Sequence, residues 1–208
     1  MTDFLSALIK MGLPEPEKKL PHLEKYVESL LFWNRKINLI GPGNADIWER
    51  HIFDSLAGYA RINGVSPLSV ADLGTGGGLP GIPLAVFMPQ TRFCLAERSL
   101  RKAGFLRNCV LDLDLDNVRV FEGPYEDMKD SFDLITFRAF QPLTIEAVHI
   151  LKTICSEKTV IAAYKGRRET IDKELSGLNG VISEPEIISL SVPGLNEERN
   201  LVMFRIPL

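Results

Sequence analysis

The residues best equipped for chemistry lie in one stretch, Ser69-Val-Ala-Asp-Leu-Gly-Thr-Gly-Gly-Gly-Leu-Pro-Gly81, where a strand-like run enters five glycines within eight residues. Glycine admits φ > 0 and lets a ligand approach the backbone with no Cβ in the way. At the carboxyl end of the first strand of a doubly wound sheet, such a turn is where a nucleotide is held. The spacing Gly76-x-Gly78-x-x-Gly81 formally satisfies the dinucleotide fingerprint, with Glu97 as the ribose acid. Two residues weigh against it. Asp72, just before Leu-Gly-Thr-Gly, can anchor the turn's amides and lie near a cationic ligand, whereas a pyrophosphate wants bare amides and a helix N-terminus. Pro80 removes one of those amides. The expected ligand is therefore S-adenosylmethionine, which carries adenosine and a positive sulfonium but no phosphate. Its contacts are expected at Asp72, Gly74, Thr75, Gly76 and Gly78. Glu97 is expected on the ribose hydroxyls, and Glu126 in Gly123-Pro-Tyr-Glu-Asp127 near the adenine.

A turn of this kind needs strands and helices to hold it. Strand-like runs occur at Val70–Leu73, Arg92–Ala96, Val118–Phe121, Phe132–Phe137 and Thr159–Ala163. Helix candidates begin between them, near Pro80, Ser99, Leu143 and Arg167, with a weaker one after Pro124. Alternating β and α segments require crossover connections and hence a mostly parallel sheet covered on both faces. Glu186–Val192 and Leu201–Ile206 have no helix between them and read as a closing antiparallel hairpin. Upstream the texture is helical only. Leu20, Leu23, Val27, Leu30 and Leu31 form one stripe, with Pro21 expected in a first turn, and Ile47, Trp48, His51, Ile52, Leu56 and Tyr59 form a second. The expected fold is α/β, a Rossmann-like doubly wound sheet. Residues 1–66 form an N-terminal helical extension packed on a sheet domain of residues 67–208.

Composition narrows the class. The chain has 208 residues, of which 45% are hydrophobic and 25% charged, the balance of a globular protein with a filled core. No window approaches the ~18 apolar residues of a membrane span. The opening MTDFLSALIKMGLPEPEKK carries an acid at position 3 and lacks the basic start of a signal peptide. Cys94, Cys109 and Cys155 are odd in number and widely separated, so neither a disulfide framework nor a zinc site is expected, and all three read as buried apolar positions. The protein is expected to be cytoplasmic, metal-free and monomeric. Its net charge is −3, which argues mildly against binding nucleic acid through an overall field.

Asp72 to Ala85 resembles the corresponding motif of the 16S ribosomal RNA guanine-N7 methyltransferase G family, also called glucose-inhibited division protein B. So do Phe32-Trp-Asn-Arg-Lys-Ile-Asn-Leu39, His51-Ile-Phe-Asp-Ser-Leu56, Arg101-Lys-Ala-Gly-Phe-Leu106, Arg138-Ala-Phe140, Lys165-Gly166 and Glu198-Arg-Asn-Leu-Val202. The likeness covers nearly the whole chain in order. It implies a class I methyltransferase that moves a methyl group from S-adenosylmethionine to N7 of the guanine at position 527, in the 530 loop of the small-subunit ribosomal RNA. It also implies cofactor contacts at Gly74, Leu79, Tyr125, Glu126 and Arg138. Glu97 stands where the family has aspartate, Ile40 where threonine is frequent, Arg101 where lysine is usual and Phe137 where serine is expected.

Guanine N7 has an in-plane lone pair and no proton, so transfer to it needs no general base. The fourth strand ends in Thr136-Phe-Arg-Ala-Phe140, which is neither the Asn/Asp-Pro-Pro-aromatic turn of amine methylation nor a nucleophilic cysteine. No catalytic acid, base or nucleophile is assigned. Arg138 is placed to position substrate or cofactor, by the methionine carboxylate or an RNA phosphate, with a plain salt bridge as the other reading. Phe140 is a candidate to stack on the target base. Arg35, Lys36, Arg98, Arg101, Lys102, Lys165, Arg167 and Arg168 are candidates for RNA phosphates, which position a substrate without reading its sequence. His51, three residues before Asp54, reads as a hydrogen-bonded packing histidine. Trp33 and Trp48 read as anchors between helical cap and sheet. The alternatives are a methyltransferase for another RNA or a small molecule, a nicotinamide oxidoreductase resting on the Gly76–Gly81 spacing alone, and a non-catalytic adenosine-binding regulator.

Overall fold

The computed structural model describes residues 3–41, 46–139 and 141–208. Seven strands form one sheet in the order β3-β2-β1-β4-β5-β7-β6. They are β1 (Ser69–Leu73), β2 (Arg92–Glu97), β3 (Val118–Glu122), β4 (Phe132–Arg138), β5 (Cys155–Lys165), β6 (Glu186–Ser189) and β7 (Asn200–Phe204). The first five pair in parallel, with β1 between β2 and β4; β7 runs antiparallel to both β5 and β6. The expected Rossmann-like sheet with its closing hairpin is what forms. The chain order reverses between β1 and β4, so the ligand crevice of an open α/β sheet belongs at the carboxyl ends of those strands.

Strand pleating divides the core into two. Val70, Phe93, Leu95, Leu134, Val160 and Ala162 face one layer, which holds α5 (Gly81–Phe87), α6 (Leu100–Asp112) and the N-terminal helices. Ala71, Leu73, Cys94, Ala96, Ile135, Ile161 and Ala163 face the other, which holds α7 (Ile145–Lys152) and α8 (Arg168–Ser176). Both faces of the sheet are buried, so its strands are near-continuous apolar runs. This is why they are readable despite lacking alternation.

Ahead of the sheet lie α1 (Phe4–Lys10), α2 (Pro16–Ile37), a π-helical turn at Trp48–Phe53, α3 (Asp54–Leu56) and α4 (Tyr59–Gly64). Leu8, Leu23, Leu30, Ile52 and Phe53 share one continuous core with Val70 and Phe93 of the sheet. Two expectations need correction. Pro21 sits inside α2 and Pro16 occupies the first turn, so the carbonyl of Glu17 loses its usual donor four residues on. Cys155 is only half-buried, unlike Cys94 and Cys109, because it is the first residue of β5, before the strand enters the core. Trp33 does bridge to the layer over the sheet, meeting Phe105 of α6 at 6.3 Å between ring centroids, whereas Trp48 stacks on Phe4 within the helical region.

Candidate functional site

The glycine turn is built by a buried carboxylate. Asp72, on β1, is wholly buried, and its Oδ2 accepts from the Thr75 hydroxyl at 2.5 Å and from the Gly81 amide at 2.8 Å. Burial pushes its carboxyl up to about 7, against the lowering effect of those two bonds and of the Arg138 guanidinium. Gly78 has φ 90°, and a Cβ there would overlap the Ile82 side chain. At Gly81 a Cβ would run into Leu95 and lie 2.7 Å from Asp72 Oδ2. From the other side, the buried Tyr26 hydroxyl of α2 donates to the Gly77 carbonyl at 2.5 Å. The Asn34 carboxamide oxygen accepts from the amides of Leu39 and Ile40 at 2.7 and 2.9 Å, closing the end of α2 and setting Leu39 under the turn. The Trp-Asn element of the sequence therefore supports the glycine turn.

Beyond the turn, the ends of β1, β2 and β3 surround a cavity of about 400 Å³ lined by Gly74, Ala96, Glu97, Arg98, Lys102, Gly123, Pro124, Tyr125, Glu126 and Gln141, among others. That volume lies in the range of small-molecule sites, roughly 300–1,000 Å³. Glu97 is buried, with Oε2 accepting from the Gly76 amide at 3.0 Å and Oε1 from the Ser99 amide at 2.8 Å. An ionised carboxylate has about four acceptor sites. Glu97 is therefore fixed by the backbone and still able to accept ligand hydroxyls. Bare backbone at Gly74 and Gly123, two carboxylates and one aromatic wall suit a ribose and a flat amine-bearing base.

Of the expected cofactor residues, Gly74, Glu97, Tyr125 and Glu126 line this cavity. The side chains of Asp72, Thr75 and Leu79 instead lie inside the turn and the core, 0–4% exposed. They shape the wall from behind.

Arg138 lies elsewhere. With the end of β4 it lines a second cavity of about 590 Å³, whose walls include Arg50, His51, Asp54, Tyr164, Lys165, Glu174 and Arg199, and which shares Ala139 and Gln141 with the first. Its side chain is 15% exposed, and the guanidinium bonds Asp54 Oδ2 at 2.8 Å, the carbonyl of Arg50 at 3.2 Å and His51 Nδ1 at 3.2 Å. Asp54, 6% exposed, pairs through Oδ1 with Arg199 Nε at 3.2 Å. Arg199 and Arg50 both reach Glu197, at 2.8 and 2.6 Å. His51 is held neutral, its pKa pushed down to about 4 by burial and by the Arg138 and Arg50 charges. It is hydrogen-bonded as expected, but to Arg138 across the cavity wall. The Tyr164 hydroxyl donates to the Ser55 carbonyl at 2.6 Å. Sequence reasoning missed Asp54, Arg199 and Tyr164 as members of this wall. The His51-x-x-Asp54 and Glu198-Arg-Asn segments were the available signals.

The basic candidates divide. Arg35 and Lys36 end α2 on its exposed side, while Arg98, Arg101 and Lys102 surround the start of α6. Lys165 is not presented to solvent: its side chain is 12% exposed, with the ammonium 2.6 Å from Glu174 and 3.2 Å from the Gln141 carbonyl. Arg168 pairs with Asp172 at 2.8 Å, and Arg167 is exposed beside it. The Phe140 expectation falls outside the described residues. Among the described residues, no group of three or more His, Cys, Asp or Glu side chains could hold a metal, and no helix is long and apolar enough to cross a membrane.

The sheet order, the switch between β1 and β4 and the paired cavities there define a class I methyltransferase, the class that takes its methyl group from S-adenosylmethionine. Solved structures agree on the fold. An O-methyltransferase from Bacillus cereus in complex with SAH superposes with a TM-score of 0.63 over 88% of this chain and 91% of that one, at 16% identity. The tRNA (m1A58) methyltransferase TrmI from Aquifex aeolicus gives 0.60 over 88% and 76%, also at 16%. Likeness at that level shows the fold alone.

The chain belongs to the rRNA small subunit methyltransferase G (GidB) family, whose model matches residues 19–202. It is 34% identical over 206 residues to a Ribosomal RNA small subunit methyltransferase G of Borreliella burgdorferi, covering 98% of each chain. With that of a Treponema pallidum subsp. pallidum strain it shares 32% over 191 residues, 89% of this chain and 84% of the other.

Proposed function

We propose that this protein methylates N7 of the guanine at position 527 of 16S ribosomal RNA, within the small ribosomal subunit, in the cytoplasm and as a monomer. Residues 1–66 act as a helical extension that braces both cavities, and residues 67–208 as the methyltransferase domain. The observation that carries the reading is the pair of cavities at the switch point, sharing Ala139 and Gln141. One has the lining of a nucleoside site, and the other takes the acceptor.

S-adenosylmethionine supplies an electrophilic methyl group, which the N7 lone pair takes as the carbon–sulfur bond breaks, leaving a neutral thioether and a cationic base with no proton moved. Glu97, held by two amides, accepts the ribose hydroxyls, and Tyr125 and Glu126 border the adenine. Gly74 lets the ligand lie against the end of β1. Asp72, Thr75, Gly76, Gly78 and Leu79 keep that turn in shape. Arg138 positions the acceptor side, where it is oriented by Asp54 and His51.

The acceptor cavity suits a reaction without a base. Among the described residues, its carboxylates are both engaged by cations, Asp54 by Arg138 and Arg199, and Glu174 by Lys165. Rate enhancement then comes from alignment, an effect worth roughly 7–11 kcal/mol in well-oriented systems.

The test is single-turnover transfer from labelled S-adenosylmethionine to 30S subunits of a strain lacking the corresponding gene, alongside protein-free 16S RNA. The modified base is mapped by N7-specific cleavage. Label at one guanine of the 530 loop is expected. Cofactor binding without transfer to either substrate would overturn the ribosomal assignment.

A further inference from the structure

One face of the molecule is unlike the rest. Helices α2 and α6 lie side by side and antiparallel, tied by the Lys25 ammonium on the Asp112 carbonyl and by Trp33 against Phe105. The carboxyl end of α2 is therefore beside the start of α6. From Ser29 to Ala45 and from Arg98 to Leu111 the sequence contains no acid, although the whole chain is negative at −3. These segments contribute Arg35, Lys36, Arg98, Arg101, Lys102 and Arg107, and among the described residues only Arg107 of the six is ion-paired, to Glu122.

Helix stability accounts for Arg35 and Lys36, cations in the last turn of α2, but not for the basic start of α6. Arg101 and Lys102 sit in the first turn of α6, which has no acid; the positive end of a helix disfavours cations there. Nor does core packing account for the apolar members of this face. Phe32 is 54% exposed and Leu100 67% exposed. The Lys36 ammonium sits over one face of the Phe32 ring, 4.1 Å from its centroid, which leaves the opposite face for a base, and Trp33 meets that ring edge-on at 6.0 Å. An exposed ring braced by an indole, flanked by uncompensated cations, combines the two elements of a single-strand platform: a π-face for any base and charges for the backbone. Arg98 and Lys102 also border the cavity that contains Glu97, so the face continues into the donor site.

We infer that this face, centred on Phe32 with Arg35, Lys36, Leu100 and Arg101, is a docking surface for a single-stranded segment of the substrate RNA. An unstacked base lies on Phe32 and flanking phosphates lie on the arginines. The inference rests on the RNA methyltransferase reading above and adds where, outside the acceptor cavity, the RNA is gripped.

The test uses the full chain and a fluorescein-labelled RNA hairpin with an unpaired loop, against a fully paired duplex of equal length. Affinity is read by anisotropy at several salt concentrations. F32A is expected to weaken hairpin binding about tenfold, the loss of one base–aromatic contact, without changing the salt dependence. R35A and R101A are each expected to lower the slope of log K against log salt by about 1. F32Y should retain affinity and F32L should not, which separates a stacking role from a packing role. S-adenosylhomocysteine affinity should be unchanged in all these variants and certifies that each is folded. Equal binding of hairpin and duplex, wild-type affinity in F32A, or wild-type salt slopes in both arginine variants would overturn the inference. Methyl transfer by the wild-type protein to 30S subunits is measured in parallel, so a failed docking surface is distinguishable from a failed substrate assignment.

Discussion

The two cavities at the strand ends are built in opposite ways. The cavity proposed for the donor is walled mainly by short segments at strand ends: Gly74 after β1, Glu97 at the end of β2, Gly123 to Glu126 after β3. Backbone amides hold its key carboxylate. The cavity proposed for the acceptor has a wall assembled from His51, Asp54, Arg138, Tyr164 and Arg199, drawn from four separated stretches and joined by side-chain charge. A wall made by local backbone tolerates change elsewhere. One made by a buried charge network depends on every member, because removing one leaves another desolvated and unpaired.

The largest expected effect follows from that dependence. D54A leaves two guanidiniums facing a cavity without their shared anion, and breaking a buried pair in this way costs about 3–5 kcal/mol. For a domain of this size the melting temperature should fall by roughly 6–20 °C, with methyl transfer lost. S-adenosylhomocysteine affinity, measured calorimetrically at low temperature, should stay within about twofold, as expected for independent sites. If donor affinity falls in step with transfer, Arg138 belongs to the donor side and the separation of the two cavities is wrong.

Titration should separate them next. Asp72, behind the donor wall, has its folded pKa raised from 3.8 to about 7 by burial. Between those values the unfolded chain binds fewer protons, so this group makes stability fall as pH rises from about 4 to about 7. His51, on the acceptor wall, has its pKa lowered from 6.5 to about 4. There the unfolded chain binds more protons, and stability rises with pH from about 4 to about 6.5. Urea denaturation across that range should show D72N losing the downward contribution and H51Q the upward one. The Asp72 effect, a few kcal/mol at most, is the larger because the ring of His51 is partly solvated. Parallel curves for wild type and both variants would refute the assignment of these two groups.

A third change acts on the donor side alone. E97Q keeps one acceptor but turns an NH2 toward a backbone N–H, at Gly76 or Ser99. Charge-assisted hydrogen bonds contribute about 1.5–3 kcal/mol, so S-adenosylhomocysteine affinity should drop by about 10- to 100-fold while 30S binding holds. Weakened 30S binding with normal donor affinity would place Glu97 on the wrong side of the comparison.

The same contrast explains what could be read from the residues. The sheet, its hairpin, the glycine turn, Glu97 and Glu126 were legible because each is encoded within a few neighbouring positions: an apolar run, a turn, an acid at a strand end. The seven-residue α1 was not, since so short a helix shows too little periodicity, and its cap, Asp3 on the Leu5 amide, is one residue. Asp54 and Arg199 carried no local sign of meeting, because a tertiary ion pair has no spacing rule. Lys165 looked like one member of a basic cluster with Arg167 and Arg168. Sequence spacing does not reveal that Glu174, on the following helix, draws it inward.

The smallest effect probes the seam between helical extension and sheet. The Ser55 carbonyl lies at the end of the three-residue α3, where the helix can no longer supply a donor. Tyr164 of β5 supplies one instead, its hydroxyl lying so close to Gly58 that a Cβ there would overlap it. Y164F removes that donor and leaves a buried carbonyl unpaired, for about 1 kcal/mol. Because Tyr164 lines the acceptor cavity and not the donor one, the seam should loosen on one side only. KM for 30S subunits should rise severalfold, with S-adenosylhomocysteine affinity unchanged. G58A, which pushes the ring off its seat while sparing the hydroxyl, should shift KM in the same direction. If either variant weakened donor binding while leaving KM for the particle alone, the extension would be bracing the glycine turn rather than the acceptor wall, and the contact to test would become Tyr26 on Gly77.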